Sequence, residues 1–307
     1  MDWYRKLDEQ VAMYLPDLEM AEEEPMSRHT SFRIGGPARR MAFPRTGEQL
    51  VLLMSFADLC GARPLIIGKG TNLLVSDEGL DRLVIDTSTA LDHVEADAGV
   101  GCVTAAAGAS LTRVAEVACR MGLTGLEFAH GIPGTVGGGI CMNAGAYGGE
   151  IAQVAERVTV LFPEDGVQTL SNAEMEFGYR HSLLTAHPEA VVLSAEFRLR
   201  PGDTDAIRER MRDLMARRRT SQPLELPSAG STFKRPEGYY AGTLIEQCGL
   251  KGLTVGGAQV SEKHAGFVVN RGGASFSDVT GLIRQVQERV YQQTGIRLEP
   301  EVRIIEQ

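Results

Sequence analysis

The 307-residue chain lacks long apolar runs, and its first ten residues, MDWYRKLDEQ, are charged throughout. A signal peptide needs an apolar core and a membrane-spanning helix needs about 20 apolar residues, so neither is predicted. The 31 lysines and arginines are outnumbered by 40 aspartates and glutamates, giving a net charge of −9, and no basic block is interleaved with aromatics. Such a chain repels phosphodiester backbones. We therefore expect a cytoplasmic protein with no nucleic-acid partner and no membrane insertion.

Cysteine is scarce as well. The five cysteines are odd in number and widely spread, without a Cys-x-x-Cys pair, and the six histidines form no His-Glu-x-x-His pattern. Disulfide frameworks and zinc sites depend on such spacings, so we predict reduced, mostly buried thiols and no metal. The oligomeric state is left open, with a monomer favoured.

Apolar residues follow helical spacing in some segments and alternate in others. Helices are predicted at Trp3–Leu15, from the Thr46/Gln49 capping-box spacing to Gly61, from Ser110 to Gly122, over DTDAIRERMRDLMARRR, and from Val279 to Gly295. Strands are predicted in PLIIG, LLVSD, Arg82–Asp86, several runs between Val154 and Leu199, and the terminal IRLEPEVRII. Because strands and helices do not alternate regularly, we expect an α+β fold rather than a doubly wound one.

Two of these segments carry more specific expectations. The arginine run Arg217–Arg219 is interpreted as the solvated face of its helix. In the terminal strand, alternation predicts one apolar face formed by Ile296, Leu298, Val302 and Ile304. With 43% apolar residues the chain can form two or three cores, and two proline breaks favour a domain boundary near Asp203–Pro223.

Two glycine-rich loops, Gly68–Asn72 and Gly131–Gly139, are the strongest indication of a ligand. The first is not a dinucleotide fingerprint, because Leu73 stands where the third glycine belongs. It is not a P-loop either, because Gly70 replaces the magnesium-binding Ser or Thr. Successive glycine peptides allow several N–H groups to converge on an anion, and a pyrophosphate fits best. A tight turn explains GKGTN alone equally well.

Nine short motifs then occur in the order found in the UDP-N-acetylenolpyruvoylglucosamine reductase (MurB) family, which the chain resembles from Ser31 to Ile305. They are FRIGGPA, GKGTNLLVSD, GIPGTVGG, MNAGAYG, YRHS, GSTFKRP, AGTLIEQCGLKG, HAGFVVN and EPEVR. No long insertion separates the flavin and substrate regions, so the chain resembles the shorter of the family's two structural types.

The resemblance implies a two-lobed FAD-binding domain of the vanillyl-alcohol oxidase type and a C-terminal α+β substrate domain. The implied ranges are 1–88 for lobe 1 with an accessory helix, 89–203 for lobe 2 and 204–307 for the substrate domain. FAD would be held noncovalently, with NADPH as co-substrate. The implied FAD-binding residues are Gly68, Lys69, Gly70, Thr71, Asn72, Gly131, Ile132, Pro133, Gly134, Thr135, Val136, Gly137, Gly138, Asn143, Ala144, Gly145, Ala146 and Tyr147.

The implied reaction reduces the enolpyruvyl ether of UDP-N-acetylglucosamine to UDP-N-acetylmuramate, a peptidoglycan precursor. By resemblance Ser231 donates the proton, Arg180 binds the substrate carboxylate and Glu301 stabilises the enol. Lys234, Tyr240 and Arg303 are implied substrate-binding residues. Glu301 would either share a proton with the substrate or be held by a cation such as Arg303.

Each residue also has an ordinary explanation in isolation. Ser231 could be a turn or cap residue, Arg180 a surface cation and Glu301 a solvent-facing strand residue. His130 is interpreted as a loop residue, and His264 either contacts the nucleotide or packs. Two other functions remain open: another flavin oxidase or dehydrogenase of the same fold, and a non-redox nucleotide-sugar binding protein.

Overall fold

A computed structural model of the protein describes residues 2–89 and 91–306. Within those residues helices and strands occur in mixed order, which confirms the α+β class. None of the described helices is both long enough and apolar enough to cross a bilayer. The α-helices are α1 (Trp3–Tyr14), α2 (Gly47–Cys60), α3 (Leu111–Arg120), α4 (Val136–Cys141), α5 (Thr204–Ser221), α6 (Ala241–Gln247) and α7 (Phe276–Thr294).

The strands are short, and most of them pair antiparallel. They are β1 (Glu19–Pro25), β2 (Pro37–Phe43), β3 (Leu65–Ile67), β4 (Leu73–Val75), β5 (Leu80–Asp86), β6 (Val94–Asp97), β7 (Cys102–Ala106), β8 (Leu123–Thr124), β9 (Gly145–Ala146), β10 (Gly149–Glu150), β11 (Ala155–Phe162), β12 (Gly166–Ser171), β13 (Val191–Arg198), β14 (Arg200–Pro201), β15 (Thr254–Val255), β16 (Ala258–Val260), β17 (Val268–Asn270) and β18 (Arg303–Ile305).

The chain divides into two compact units. Unit 1 consists of Met1–Ala21, Arg40–Lys69 and Arg82–Arg218. Unit 2 consists of Glu22–Arg39, Gly70–Asp81 and Arg219–Gln307. The three ranges that the sequence predicts for lobes and substrate domain stay a prediction.

Unit 1 contains a five-stranded antiparallel sheet in the order β12-β11-β13-β7-β6. Alternate residues such as Val158 and Val160 of β11 point into its core, which α3 covers with Leu111, Val114 and Ala118. Residues 19–21, 40–43, 65–67 and 82–86 of the sheet β1-β2-β5-β3 also belong to unit 1, and β3 pairs with β5 in parallel. The helices α1 and α2 contribute Leu7, Leu50 and Leu53 to a second core.

Unit 2 contains the antiparallel sheet β15-β16-β17 and the parallel pair β18-β4. Helix α7 buries the five residues that its spacing predicts, Val279, Leu282, Ile283, Val286 and Val290. Ser275 caps the N-terminus of α7 and Gly295 ends the helix with φ +75°. These features confirm the helix at its predicted place.

Three expectations need correction. Arg218 is only 7% exposed, because it follows Met211 and Leu214 at helical spacing and lies on the buried face of α5. Among the described residues the terminal strand is limited to β18, and Ile304 is 39% exposed, whereas Leu298 and Val302 of the predicted apolar face are buried. Of the cysteines only Cys119 is buried, and the other four are half-buried and form no disulfide.

The glycine-dense run also contains an element that the sequence analysis missed. Residues Val136–Cys141 form α4, although five of the six are glycine or β-branched and therefore disfavour helix. Thr135 caps its N-terminus by accepting the Gly138 N–H at 3.4 Å. Gly139 packs so closely against Leu111 that a Cβ would come within 3.2 Å of that side chain. Tertiary packing therefore overrides the local propensity.

The capping carboxylate of α7 supports a pH-dependent prediction. Backbone N–H groups of Ser275 and Gly257 donate to Asp278 Oδ2 at 3.0 and 3.1 Å, and hydrogen bonding to Ser275 and then Gly257 holds the pKa of Asp278 below its usual 3.8. A depressed pKa means that the carboxylate stabilises the fold above pH 3.8, and that this contribution is lost as pH falls through the lowered value.

We expect Asp278→Asn to lower the free energy of unfolding by about 1 kcal/mol at pH 7, because a charged acceptor for two N–H groups is lost. The difference from wild type should shrink below pH 4. Urea unfolding between pH 3 and pH 7 measures it. Asp58→Asn, at an exposed position of α2, is the control and should show no such trend. A constant difference at every pH would contradict the role of the charge.

Candidate active site

The first glycine loop begins where β3 ends. Gly68 packs directly on Thr135, so that a Cβ at residue 68 would overlap the Thr135 hydroxyl. Gly68 and Thr135 both belong to unit 1. The two predicted cofactor loops, which are far apart in sequence, therefore approach each other at this contact.

Several N–H groups of these loops have no acceptor among the described residues. In unit 1 they are those of Lys69, Gly134 and Thr135, and in unit 2, taken by itself, those of Gly70 and Thr71. Other N–H groups of the second loop are used internally: Val136 donates to Ala109 and Gly137 to Ala107, each at 2.8 Å. Polar backbone groups need partners, and a series of unbonded N–H groups beside side-chain-free peptides suits an anion such as a pyrophosphate. The residues present thus fit the cofactor that the sequence implies.

The remaining predicted cofactor residues differ in whether their side chains are buried in the core or exposed to solvent. Val136 is fully buried and Ile132 and Ala144 pack against the same core, so their side chains serve the fold. Lys69, Pro133, Gly138 and Tyr147 are exposed. Gly145 and Ala146 form β9, which pairs with β10 through a turn at Tyr147 and Gly148, with φ of +54° and +86°. Two successive positive φ values are typical of a tight hairpin turn, which presents the Tyr147 ring.

Arg218 is a residue of this region that the sequence analysis placed in solvent. Its guanidinium lies 5.6 Å from the centre of the Tyr147 ring, within cation–π range. A Cβ at Gly131 would come within 2.6 Å of Met215 Cε and 3.5 Å of Arg218 Nε, so the second glycine loop also lies against the end of α5. Burial lowers the pKa of Arg218, and Tyr147 opposes that shift. Helical spacing from Met211 was the signal that could have located this cation.

Arg180 occupies a tight turn in unit 1. Its backbone has φ +54°, a left-handed conformation that is uncommon for a side chain of this size. Gly178 and His181 pair across the turn, and the buried Asn143 side chain donates to the Gly178 carbonyl at 3.0 Å. Ser182 Oγ also donates to the Cys141 carbonyl at 2.9 Å. Asn143, predicted to lie near the flavin, thus fixes the turn that carries Arg180.

Ser231 begins a short extended segment in unit 2. Ser231 pairs antiparallel with Phe267 and Phe233 pairs with Pro300. Between them, Thr232 is bonded through three atoms: its N–H donates to Gly266, its carbonyl accepts from Glu301 and its Oγ1 accepts from Val268. The Ser231 side chain is half-buried, and its hydroxyl has no hydrogen-bond partner among the described residues. No hydrogen bond among the described residues therefore uses this hydroxyl for stability.

Glu301 lies on the segment opposite. The Glu301 N–H donates to the Thr232 carbonyl at 2.8 Å, and the Lys234 N–H donates to the Glu299 carbonyl at 2.9 Å. Asn72 Nδ2 donates to the Glu301 carbonyl at 3.1 Å. Unit 2 thus brings the backbone of Ser231 and that of Glu301 into one small ladder, with Asn72 on its far side.

The predicted substrate residues are solvent-accessible. Lys234 forms an ion pair with Glu299 at 3.3 Å, and the Tyr240 ring is 63% exposed with the Arg235 guanidinium 4.5 Å from its centre. Arg303 is exposed. Whether Glu301 shares a proton with the substrate or is held by a cation such as Arg303 stays a prediction.

The two singled-out histidines differ. His264 packs: its Nδ1 accepts the Gly266 N–H at 3.1 Å and its ring meets Phe267 edge to face. Burial, ahead of the other influences, lowers the pKa of His264, which suits the neutral ring that this acceptor role requires. His130 precedes Gly131, and its buried Nδ1 has no hydrogen-bond partner among the described residues.

One cluster of possible metal ligands occurs among the described residues: Cys102, Glu156 and Glu196. Glu156 is paired with Arg198 at 2.7 Å, so the cluster already has a cation. The prediction of no metal site therefore stays a prediction.

Comparison with known proteins defines the class first. Residues 38–171 match the family described as FAD binding domain, and residues 222–305 match the C-terminal domain of UDP-N-acetylenolpyruvoylglucosamine reductase. The first match contains both glycine loops and the second contains Ser231 and Glu301. The protein is therefore an FAD-dependent oxidoreductase.

Full-length relatives make the assignment specific. UDP-N-acetylenolpyruvoylglucosamine reductase of Agathobacter rectalis is 49% identical over 96% of both chains, and that of Limosilactobacillus fermentum is 48% identical over 97% of this chain and 98% of the relative. The crystal structure of the reductase (MurB) from Thermus caldophilus superposes with a TM-score of 0.78 at 35% identity, covering 94% of this chain and 99% of that one. The chain belongs to the UDP-N-acetylenolpyruvoylglucosamine reductase family, a family of peptidoglycan precursor synthesis, as the motifs predicted.

The contact between the glycine loops makes a testable prediction. We expect Gly68→Ala to lower flavin content after purification at least threefold, because the new methyl group overlaps Thr135 and displaces the loop. The ratio of flavin absorbance to protein absorbance measures it. Adding Thr135→Ala should recover part of the loss by removing the atoms that the methyl group meets. Gly47→Ala is the control, because nothing lies within 4 Å of that Cβ position. Full flavin content in Gly68→Ala would contradict this account of the loops.

Proposed function

We propose that this protein uses NADPH to reduce UDP-N-acetyl-3-O-(1-carboxyvinyl)-glucosamine to UDP-N-acetylmuramate, with Ser231 as the proton donor. The observation that carries the proposal is the ladder in unit 2, in which the Glu301 N–H bonds the carbonyl next to Ser231 at 2.8 Å. The relatives are named as reductases of an enolpyruvyl sugar nucleotide. The flavin oxidase and the non-redox binding protein lack any comparable support.

The cofactor would be held noncovalently by the unbonded N–H groups of the two glycine loops, Gly68–Asn72 and Gly131–Gly138. When bound, FAD would supply the redox chemistry, with NADPH as the source of the hydride and the enolpyruvyl group as its acceptor. Arg218 and Tyr147 adjoin the second loop and add a buried cation and an aromatic ring to its surroundings. A cation beside phosphate groups lowers their electrostatic energy.

Ser231 has the properties that the proton-transfer step requires. The substrate carbon next to the carboxylate gains negative charge and must receive a proton. A serine is a weak acid, so it serves only where the acceptor is strongly basic and nearby groups stabilise the alkoxide. The Ser231 hydroxyl is half-buried and unbonded among the described residues, while the neighbouring Thr232 backbone is held at three atoms. Such fixed placement with a free hydroxyl favours proton donation.

Arg180 would bind the substrate carboxylate. A guanidinium can donate two parallel N–H groups to both carboxylate oxygens as they gain charge. The turn that carries Arg180 is fixed by the Asn143 bond to the Gly178 carbonyl at 3.0 Å. The left-handed backbone at Arg180, with φ +54°, is strain of the kind found where a side chain must be aimed.

Glu301 would act on the enol form of the same group. A protonated Glu301 could donate to the enolate oxygen, and an ionised one would repel it, so a shared proton is the arrangement we propose. Lys234, Tyr240 and Arg303 would contact the nucleotide sugar from exposed positions. The lobes 1–88 and 89–203 and the substrate domain 204–307 remain the division we propose, and the cytoplasmic location remains a prediction.

Ser231→Ala tests the proposal directly. We expect flavin reduction by NADPH to stay within about threefold of wild type, while reoxidation by the enolpyruvyl substrate slows by about 100-fold to 10,000-fold, the range for loss of a general acid. Stopped-flow absorbance of the flavin separates the two steps. Ser228→Ala, three residues earlier in the same segment, is the control and should reoxidise at nearly the wild-type rate. Wild-type reoxidation in Ser231→Ala would remove Ser231 from this role.

Glu301→Gln should likewise preserve the first step and slow the second, by at least about tenfold, because the amide can donate a hydrogen bond but has no acidic proton to share with an enolate. The pH dependence of reoxidation should lose one ionisation. The same stopped-flow measurement between pH 6 and pH 9 provides both results. If flavin reduction by NADPH fell instead, Glu301 would have a different place in the cycle.

A further inference from the structure

Asn72 makes contacts that differ from those expected of a cofactor-binding residue. Its side-chain Nδ2 donates to the Glu301 carbonyl at 3.1 Å, and its main-chain carbonyl accepts the Arg303 N–H at 2.9 Å. The next residue, Leu73, begins β4 and is the register partner of Arg303 in β18. Asn72 therefore binds the Glu301–Arg303 segment through two hydrogen bonds, one from its side chain and one from its main chain.

These bonds restrain the Glu301 backbone on both sides. The Glu301 N–H donates to Thr232 at 2.8 Å, and the Glu301 carbonyl accepts from Asn72. Regular pairing between β18 and β4 starts only at Arg303, and on the other side Pro300 has no N–H to donate. Without the Asn72 amide, the Glu301 carbonyl would lose this hydrogen bond in a half-buried setting, which would weaken the restraint on the peptide after Glu301.

We propose that Asn72 is a positioning residue for Glu301, an inference that rests on the proposed role of Glu301 in the protonation step. Asn72 acts through the Glu301 backbone and sets the direction in which the carboxyl group leaves the strand. One hydrogen of its side-chain amide is engaged with protein, and in the first glycine loop the N–H groups of Lys69, Gly70 and Thr71 have no acceptor among the described residues. Within unit 2, Asn72 is thereby bonded to the segment that carries Glu301.

Asn72→Asp is the most informative variant, because aspartate has nearly the same shape and its donor capacity depends on pH. An ionised carboxylate would face the Glu301 carbonyl with two acceptors in contact, whereas a protonated one can donate its O–H. We expect flavin reduction by NADPH to stay within about threefold of wild type, and reoxidation to slow by about tenfold at pH 8, as for a lost buried hydrogen bond with added repulsion. The deficit should shrink as pH falls toward 5.5, because protonation restores a donor.

Asn172→Asp is a matched control. Asn172 also donates its amide to backbone carbonyls, those of Ala152 and Ala155 at 2.8 and 2.7 Å, but it belongs to unit 1 and touches none of the proposed catalytic residues. The substitution should lower thermal stability without changing the ratio of the two half-reaction rates or its pH dependence. Asn72→Ala provides a second test should the aspartate disturb flavin binding: the same step should slow, now equally at every pH.

A double variant separates this inference from the function on which it rests. If Asn72 acts only through Glu301, adding Asn72→Asp to Glu301→Gln should slow reoxidation little further, whereas independent effects would multiply. Multiplying effects overturn the inference, as does reoxidation in Asn72→Asp that equals wild type at all pH values, or an equal loss in both half-reactions. A silent Glu301→Gln would instead overturn the proposed role of Glu301, and the positioning role with it.

Discussion

The chemistry proposed for this protein depends on one hydrogen bond, from the Glu301 N–H to the Thr232 carbonyl at 2.8 Å. It joins the segment after Ser231 to a segment about 70 residues further along the chain, and the two carry a proposed proton donor and a proposed enol stabiliser. Thr232 is suited to this position because its N–H and hydroxyl are also bonded, to Gly266 and Val268. The three hydrogen bonds of Thr232 restrain the backbone next to Ser231. The Ser231 hydroxyl is therefore well positioned although it has no hydrogen-bond partner among the described residues.

A second constraint operates in unit 1, where residue 68 must be glycine because a close neighbour leaves no room for a side chain, and not because the backbone adopts a positive φ. Gly68 meets Thr135 with no room for a methyl group, and Thr135 in turn caps the short helix α4. This contact aligns two loops whose unbonded N–H groups suit a pyrophosphate. Asn143, a few residues past α4, extends the same framework to the turn of Arg180. One short stretch of sequence thus organises both the cofactor loops and a proposed catalytic cation.

The sequence predicts the elements whose pattern is strong and misses those whose cause is tertiary. Helix α7 was predictable from Val279 to Gly295, because its five apolar residues recur at helical spacing and glycine ends it. Helix α4 was not, since its glycines favour loop and only contacts with residues such as Leu111 stabilise it. The helical spacing of Arg218 from Met211 and Leu214 indicates a buried position. The arginines on either side of it favoured the opposite prediction, a solvated face, which was wrong. The bond from Asn72 to Glu301 spans 229 residues and follows from no local pattern.

The central claim is that this protein carries electrons on a bound flavin from NADPH to an enolpyruvyl sugar nucleotide. The visible spectrum of the purified protein, recorded without oxygen, tests it most directly. The account predicts oxidised flavin absorbance that disappears on adding NADPH and returns on adding UDP-N-acetyl-3-O-(1-carboxyvinyl)-glucosamine. A protein that binds no flavin even when FAD is added, or a reduced flavin that this substrate leaves unchanged, would contradict it.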